Sequence, residues 1–566
     1  MKKIIAMILV LVMLITALAS CVSKDGDGTT NGEGGTSASK WWEKWTDEPI
    51  GGGNSSLNNG KEPDASESAS GTNAPSNGGH MKETDSYGQI KFESAVPANP
   101  EMEVQNLVIA YRDDTRYSRE WFSAEGATDE LSTMITIRND SINRKLGTNI
   151  RYEVLGDAMY DNCIDVYRDE LVGDVMNGMH KYDIVATYSY AGANLEIRDC
   201  LANLADKNIF PYFDFSLPCW NQSIVKNTKV NNKLFYITGD LNLSTFDASI
   251  VTFVNKNLYN EMKQAGDPAD IQDVALQGKW DYEEMYKWSS RYIDIDRNGA
   301  NDCSDVHGIS AAYLSIPLDA FPYAWDLEYA KEAGGKHTYN ITGNTKITNA
   351  LTKVTNLLYE GANQGVTNGD YASGCFLDGA RSEPIIHFVN DRAVFVMHKL
   401  WATPEDSAAM GNMASEFGLL PVPKYDKAQA NYGTTAHDSY TLMVVLNHVY
   451  GDKPTYGKTI SAWLQLNYEI SYTDVRGYYI NRIVKPSYFG INDSSLTVAK
   501  SIKIFNTIAD NVEFGFVSVY APQLGNVLNT CWREAAMYGT TAEAQYETNK
   551  DLFDMNIASL DEWLAK

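Results

Sequence analysis

Val104-Gln-Asn-Leu-Val-Ile-Ala-Tyr111 and Tyr182-Asp-Ile-Val-Ala-Thr-Tyr188 decide the fold. Both runs are apolar and rich in β-forming residues, as strands covered on both faces are. Between them, Thr128 to Leu146 carries apolar residues at helical spacing and ends before Gly147. Ile150 to Leu155 reads as another strand, and Asp161 to Met176 as another helix. The order β-α-β-α-β predicts a largely parallel sheet with helices on both faces. Ligands of such sheets bind beyond the carboxyl ends of the strands. Tyr111, Arg112 and Asp113 leave the first strand at that edge, and Thr187, Tyr188 and Tyr190 leave the third. No internal repeat is evident.

Upstream of this block the composition changes twice. Residues 22 to about 95 are dominated by Gly, Ser, Asn, Thr and acidic residues, with Gly51–Gly53 and Ala65–Gly79 typical. Such a segment cannot bury enough apolar surface to offset chain entropy. As a flexible tether it has a root-mean-square reach of roughly 45–50 Å. Trp41, Trp42 and Trp45 interrupt it beside Lys40, Glu43 and Lys44; they read either as a sticky contact or as a transient helix. Before the tether, Lys2 and Lys3 precede an almost unbroken apolar run from Ile4 to Leu18. This is the pattern of a secretory signal, too short to be a good spanning helix. Leu18-Ala19-Ser20-Cys21 resembles the bacterial lipoprotein box. That resemblance implies a signal peptide at 1–20, lipidation of Cys21 and a tether at 21–95. The expected place is the extracellular face of the cell membrane.

The whole chain is 44% hydrophobic and 11% aromatic, which is globular, and its formal net charge is −26. That charge repels nucleic acid and anionic lipid, so attachment to a membrane falls to the lipid. If Cys21 is lipidated, Cys163, Cys200, Cys219, Cys303, Cys375 and Cys531 remain. Export permits disulfides among them; buried free thiols are the alternative. No CxxC spacing suggests zinc or redox chemistry.

Several later segments resemble family 1 extracellular solute-binding proteins, in the order that family uses. Lys229-Val-Asn-Asn-Lys-Leu-Phe-Tyr-Ile-Thr238 followed by Ile250-Val-Thr-Phe-Val-Asn-Lys-Asn-Leu-Tyr259 is similar to the family's first crossover. Thr238-Gly239-Asp240 stands where a proline is usual. Trp280-Asp-Tyr-Glu-Glu284 resembles a helix start of the family. Phe388-Val-Asn-Asp-Arg-Ala-Val-Phe-Val-Met397 with Trp401 resembles its "GkaAM" segment, with Asn390 and Asp391 replacing the glycine. Phe417-Gly-Leu-Leu-Pro-Val-Pro423 matches its return strand.

The resemblance implies an α/β fold. It is a two-lobed clamp like the periplasmic binding proteins, each lobe a mainly parallel sheet flanked by helices, joined by hinge crossovers. Lobe 1 is expected at 96–245, lobe 2 at 246–435, and segments serving both at 436–566. It also implies a maltodextrin-binding-like monomer that captures an oligosaccharide and passes it to an ABC transporter permease. Tyr and Trp suit sugars, because each offers a flat apolar body with a polar tip. Candidate stackers are Tyr188, Tyr190, Trp220, Tyr323, Trp325, Trp401 and Trp532. Trp401 occupies the position of a sugar-stacking tryptophan in maltodextrin-type relatives. Arg112 and Asp113 are candidate partners for hydroxyls.

Asp294-Ile-Asp296-Arg-Asn298-Gly299-Ala300-Asn-Asp302-Cys-Ser-Asp305 is the sharpest local motif. Counted from Asp294, side-chain oxygens fall at positions 1, 3, 5, 9 and 12, glycine at 6, and the Ala300 carbonyl at 7. This is calcium-loop spacing of the EF-hand kind. Position 12 is Asp rather than Glu, and position 8 is Asn301. The stretch Tyr282 to Tyr292 reads as helix and Val306 to Ser310 as strand, so a helix–loop–strand holding structural calcium is expected, with a solvated acidic turn as the alternative.

Enzyme signatures are sparse. No GxSxG, HExxH or GxGxxG occurs, and Gly451 to Thr459 places five residues between glycines where a phosphate loop needs four. No catalytic residue is assigned. Acidic residues are numerous enough to leave a glycosidase pair open. Two alternatives therefore stand beside sugar capture: the same clamp holding a peptide or other non-sugar ligand, and a secreted carbohydrate-active enzyme.

Overall fold

The computed structural model describes residues 90–103, 106–112, 115–123, 126–155, 160–299, 305–311, 315–358, 383–402, 410, 413–438, 440–451, 454–477 and 496–565. The signal sequence, Cys21, the tryptophans of the tether, Asp113, Ala300 and Asp302 lie outside them, as do the side chains of Cys163, Tyr190, Cys303 and Cys375.

Strands β1 (Asn106–Tyr111), β2 (Asn149–Val154) and β3 (Ile184–Tyr188) form a parallel set, with β1 central. Strand β11 (Thr441–Val445) returns from far along the chain and pairs antiparallel with β3. The strand alternation explains how this sheet sits. Leu107 and Ile109 of β1, Ile184 and Ala186 of β3, and Met443 and Val445 of β11 share one core. Ala110, Val185, Leu442 and Val444 face another. With apolar side chains on both faces, helices must cover both.

One covering helix is Glu130–Leu146. Asp129 caps it by accepting from the Ser132 N–H, and Gly147 ends it at φ 66°, a left-handed conformation that glycine adopts without strain. Helix Tyr456–Ile470 packs beside it: Trp463 Nε1 donates to Asn143 Oδ1 at 3.0 Å, and Arg138 Nη1 to Ser471 Oγ at 2.9 Å.

The second sheet has the order β10-β4-β9-β6-β5. Its central strands β4 (Ile250–Asn255) and β9 (Ala393–Lys399) are apolar and almost wholly buried. Strands β5 (Tyr292–Ile293), β6 (Val306–Ser310) and β10 (Phe417–Leu420) complete it, and β7 (Ala330–Ala333) pairs with β8 (Lys336–Tyr339) as a separate hairpin. The two-lobed α/β arrangement is as expected. The second sheet departs in detail, since β4–β9, β4–β10 and β5–β6 are antiparallel and only β6–β9 is parallel.

Among the described residues, three segments cross between the sheets. In the first, Ile237 bridges Met443 of β11, and the chain continues through helix Leu243–Asp247 into β4. In the second, Ala436 bridges Ser249 before the chain enters β11 at Thr441. The third is tied to the second where the Glu513 N–H donates to the Thr434 carbonyl at 2.8 Å.

Residues 90–95, inside the expected tether, are packed against the first lobe. The Ile90 N–H donates to Tyr472 Oη at 2.9 Å, Phe92 lies 5.7 Å from the Tyr472 ring, and the Ala95 N–H donates to Glu469 Oε1. Residues 90–95 therefore belong to lobe 1, because helix Tyr456–Ile470 and its continuation offer them partners.

Candidate functional site

The ends of β1 and β3, the start of β11 and the end of β9 converge where the crossings pass. Register fixes this: Tyr188 sits opposite Thr441, and Lys399 opposite Ile250. The second crossing thus carries His437 and Asp438 past both sheet edges. The His437 N–H donates to the Ala248 carbonyl at 2.9 Å, holding that segment in place.

A cavity of about 520 Å³ opens between the lobes here. Asn194 of helix Ser189–Glu196 lines it from the first lobe, and Asp319 and Tyr323 from the second. Asp438 and Tyr440 come from a crossing, and Trp532 and Arg533 from the C-terminal segment. Its size falls within the roughly 300–1,000 Å³ of small-molecule sites, and its lining mixes aromatic faces with a few fixed polar groups.

The charged groups are paired. Arg533 donates through Nε and Nη2 to the two carboxylate oxygens of Asp319, at 2.5 and 2.6 Å. Burial pushes the Asp319 carboxyl up, against the opposing pull of Arg533 and His437. Nδ1 of His437 lies 2.7 Å from Asp438 Oδ1. Burial opposes ionisation of Asp438, but His437 and the Tyr188 hydroxyl hold its carboxyl below the usual range.

The expected binding residues divide. Tyr323 and Trp532 line the cavity, although Trp532 is buried and donates from Nε1 to the Leu318 carbonyl at 2.7 Å. Tyr188 does not line the cavity; it is buried and joined to Asp438, which does. Arg112 is 4% exposed, its guanidinium 3.4 Å from the centre of the Tyr117 ring, so it braces the strand edge. Trp401 is half-buried in a turn after β9, with Lys399 Nζ 5.4 Å from its ring. It does not line the cavity. Trp220 and Trp325, expected as stackers, are 1% and 0% exposed. Trp220 packs on Tyr468 at 4.1 Å, and Trp325 between Phe321 and Tyr425 while donating to the Pro423 carbonyl. Both are core residues, because apolar neighbours surround them on all sides. Sequence reading missed Asp319, Asp438, His437, Tyr440 and Arg533; no local motif marks any of them.

The acidic loop lies elsewhere, between β5 and β6. Carboxylate oxygens of Asp294, Asp296 and Asp305 all come within 4.8 Å of one another. Asp305 is fully buried and accepts from the Ile295 N–H; Asp294 Oδ2 accepts from the Gly299 N–H while its Oδ1 is buried without a hydrogen bond among the described residues. Asn298 is bonded to Asp296. The expected preceding helix ends at Tyr286, because Trp288 turns into the core against Tyr259. The loop therefore joins two strands rather than a helix and a strand.

Cys200, Cys219 and Cys531 are buried free thiols, the second of the two alternatives for those three. Burial pushes the Cys200 thiol up to about 11, so it is unreactive.

No protein-family profile and no curated protein matches the sequence. Solved structures do. An uncharacterized protein of Listeria monocytogenes EGD-e is similar at a TM-score of 0.52 and 9% identity, covering 80% of this chain and 100% of that one. A likeness at this identity speaks for the fold alone, and together with two sheets joined by three crossings it establishes the two-lobed α/β clamp. A cyclo/maltodextrin-binding protein solved with maltotetraose is similar at a TM-score of 0.48, 13% identity, and 81% and 98% coverage of the two chains. An ABC substrate-binding protein of Listeria monocytogenes solved with cycloalternan is similar at 0.45, 12% identity, and 80% and 100% coverage.

Proposed function

We propose that this chain is an extracellular solute-binding lipoprotein, capturing an oligosaccharide between its lobes and passing it to an ABC-type permease. The interlobe cavity carries this reading. A ligand held between lobes gains contacts only when they close, so binding shifts the open–closed balance toward closure. Sugar rings have apolar faces and hydroxylated edges, which match the half-exposed Tyr323 on one hand and Asn194, Asp438 and Arg533 on the other. The pairing of Asp319 with Arg533, and of Asp438 with His437, suits a neutral ligand.

The enzyme reading finds one supporting observation: Asp319 and Asp438 are shifted in opposite directions, as glycosidase carboxylates are. Their partners weigh against it. Both oxygens of Asp319 are held by Arg533, leaving none to protonate a departing oxygen. Incubation of the protein with neutral oligosaccharides separates the readings: a binder raises its melting temperature and returns the sugar intact, whereas an enzyme shortens it.

No helix among the described residues is long and apolar enough to cross a membrane. Attachment through lipidated Cys21 is part of the proposal, and Cys21→Ser should release the protein from the membrane fraction. Retention of the variant there would contradict the anchor. A structural calcium ion in the Asp294–Asp305 loop is also part of it. Three carboxylates so close repel one another, and a bound cation would offset that repulsion.

A further inference from the structure

The interlobe cavity does not end at Tyr323. Pro322, Tyr323 and Leu528 line it on one side and line a second, larger groove on the other, of about 1,290 Å³. That groove runs past the β7–β8 hairpin and the turn at Asn231 and Asn232. The seam is built closely around Tyr323. A Cβ on Gly515 would lie 3.2 Å from the Tyr323 ring, and one on Gly433 would lie 2.8 Å from the Tyr323 carbonyl. Bare backbone at both positions lets this tyrosine stay half-exposed as a face common to both spaces.

The groove has its own chemistry. Asn232 and Asn431 are exposed, and neither side chain makes a hydrogen bond among the described residues. An amide carries both donor and acceptor, the complement of a pair of hydroxyls. Lysines 226, 229 and 346 are offset by Asp326, Glu328, Glu332 and Glu513, so no single charge sign dominates the lining.

We infer that the two spaces form one binding path for a linear, uncharged oligosaccharide, with Tyr323 as the shared stacking face and the asparagine-lined groove taking the units beyond the cleft. This rests on the capture reading and adds a length requirement to it. A ligand confined to the cleft stops gaining affinity once the cleft is full. A ligand that crosses Tyr323 continues to gain, through the two asparagines.

The test is calorimetry on the full protein with size ladders, dimer to octamer, of neutral malto-, cello-, xylo- and manno-oligosaccharides, and with an oligogalacturonate ladder as the charged comparison. The expected result is a neutral ladder whose affinity rises at least tenfold between trimer and hexamer. In the double variant Asn232→Ala, Asn431→Ala, with melting unchanged, the hexamer-to-trimer ratio should fall toward one. A neutral ladder that binds but levels off at dimer or trimer would overturn the extended path and leave sugar capture standing. Tighter binding of the oligogalacturonates would overturn the uncharged class. No binding by any ladder would overturn the capture reading and this inference with it.

Discussion

The Tyr520 hydroxyl donates to Glu196 Oε2 at 2.9 Å, tying the C-terminal segment to the end of helix Ser189–Glu196 in the first lobe. Tyr236 donates to the same carboxylate. Glu196 is buried, and Lys233 acts on it only through space.

This arrangement predicts a pH dependence. Burial pushes the Glu196 carboxyl up to about 7, against the pull of the two tyrosines, from an ordinary value of 4.5. Between those values the folded protein keeps a proton that the unfolded chain has released. Stability contributed at this site therefore falls as pH rises from about 4.5 to 7, by an amount on the order of 3 kcal/mol. Glu196→Gln removes the titration. Urea unfolding at pH 5 and pH 8 should show a smaller loss of stability in the variant than in the wild type. Equal losses would show that Glu196 does not titrate in this window.

Calcium should stabilise the protein through the Asp294–Asp305 loop. An ion bound only by the folded state, at a hundred times its dissociation constant, adds about 2.7 kcal/mol. Chelation should therefore lower the melting temperature, and calcium should restore it. Asp294→Ala with Asp296→Ala should abolish the difference. A melting curve indifferent to chelator in the wild type would remove the metal.

Two tryptophans should behave differently. Trp325 is fully buried, so Trp325→Ala should cost roughly 3–5 kcal/mol of stability. Trp401 is half-buried in the turn that follows β9 at the sheet edge. Trp401→Ala, at a position outside the cavity, should leave oligosaccharide affinity within about twofold and cost less stability than Trp325→Ala. A clear loss of affinity with near-native unfolding would instead place Trp401 in the binding surface.

The parts legible in sequence were those written locally. Leu107 and Ile109 in an apolar run, and Asp129 and Gly147 at the ends of a periodic stretch, specify a strand and a helix without reference to distant residues. The antiparallel pairing of β4 with β9 is not local: Val251 meets His398 only once the intervening chain has folded. The cleft charges share this difficulty, because Asp319 and Arg533 come from distant segments and neither lies in a recurring motif. Aromatic content also fails to separate Trp325, sealed by Phe321 and Tyr425, from Tyr323 two positions earlier, which faces both cavities. Burial, which distinguishes them, is a property of the assembled lobes.

In the proposed function the lobes close on a neutral oligosaccharide and return it unchanged. The direct measurement is small-angle X-ray scattering of the protein, with and without the tightest-binding sugar of the neutral ladders, alongside chromatography of the sugar afterwards. The expected result is a smaller radius of gyration on saturation at one ligand per chain, with the sugar recovered at its original length. Unchanged dimensions at saturation, or accumulation of shorter sugars, would contradict it.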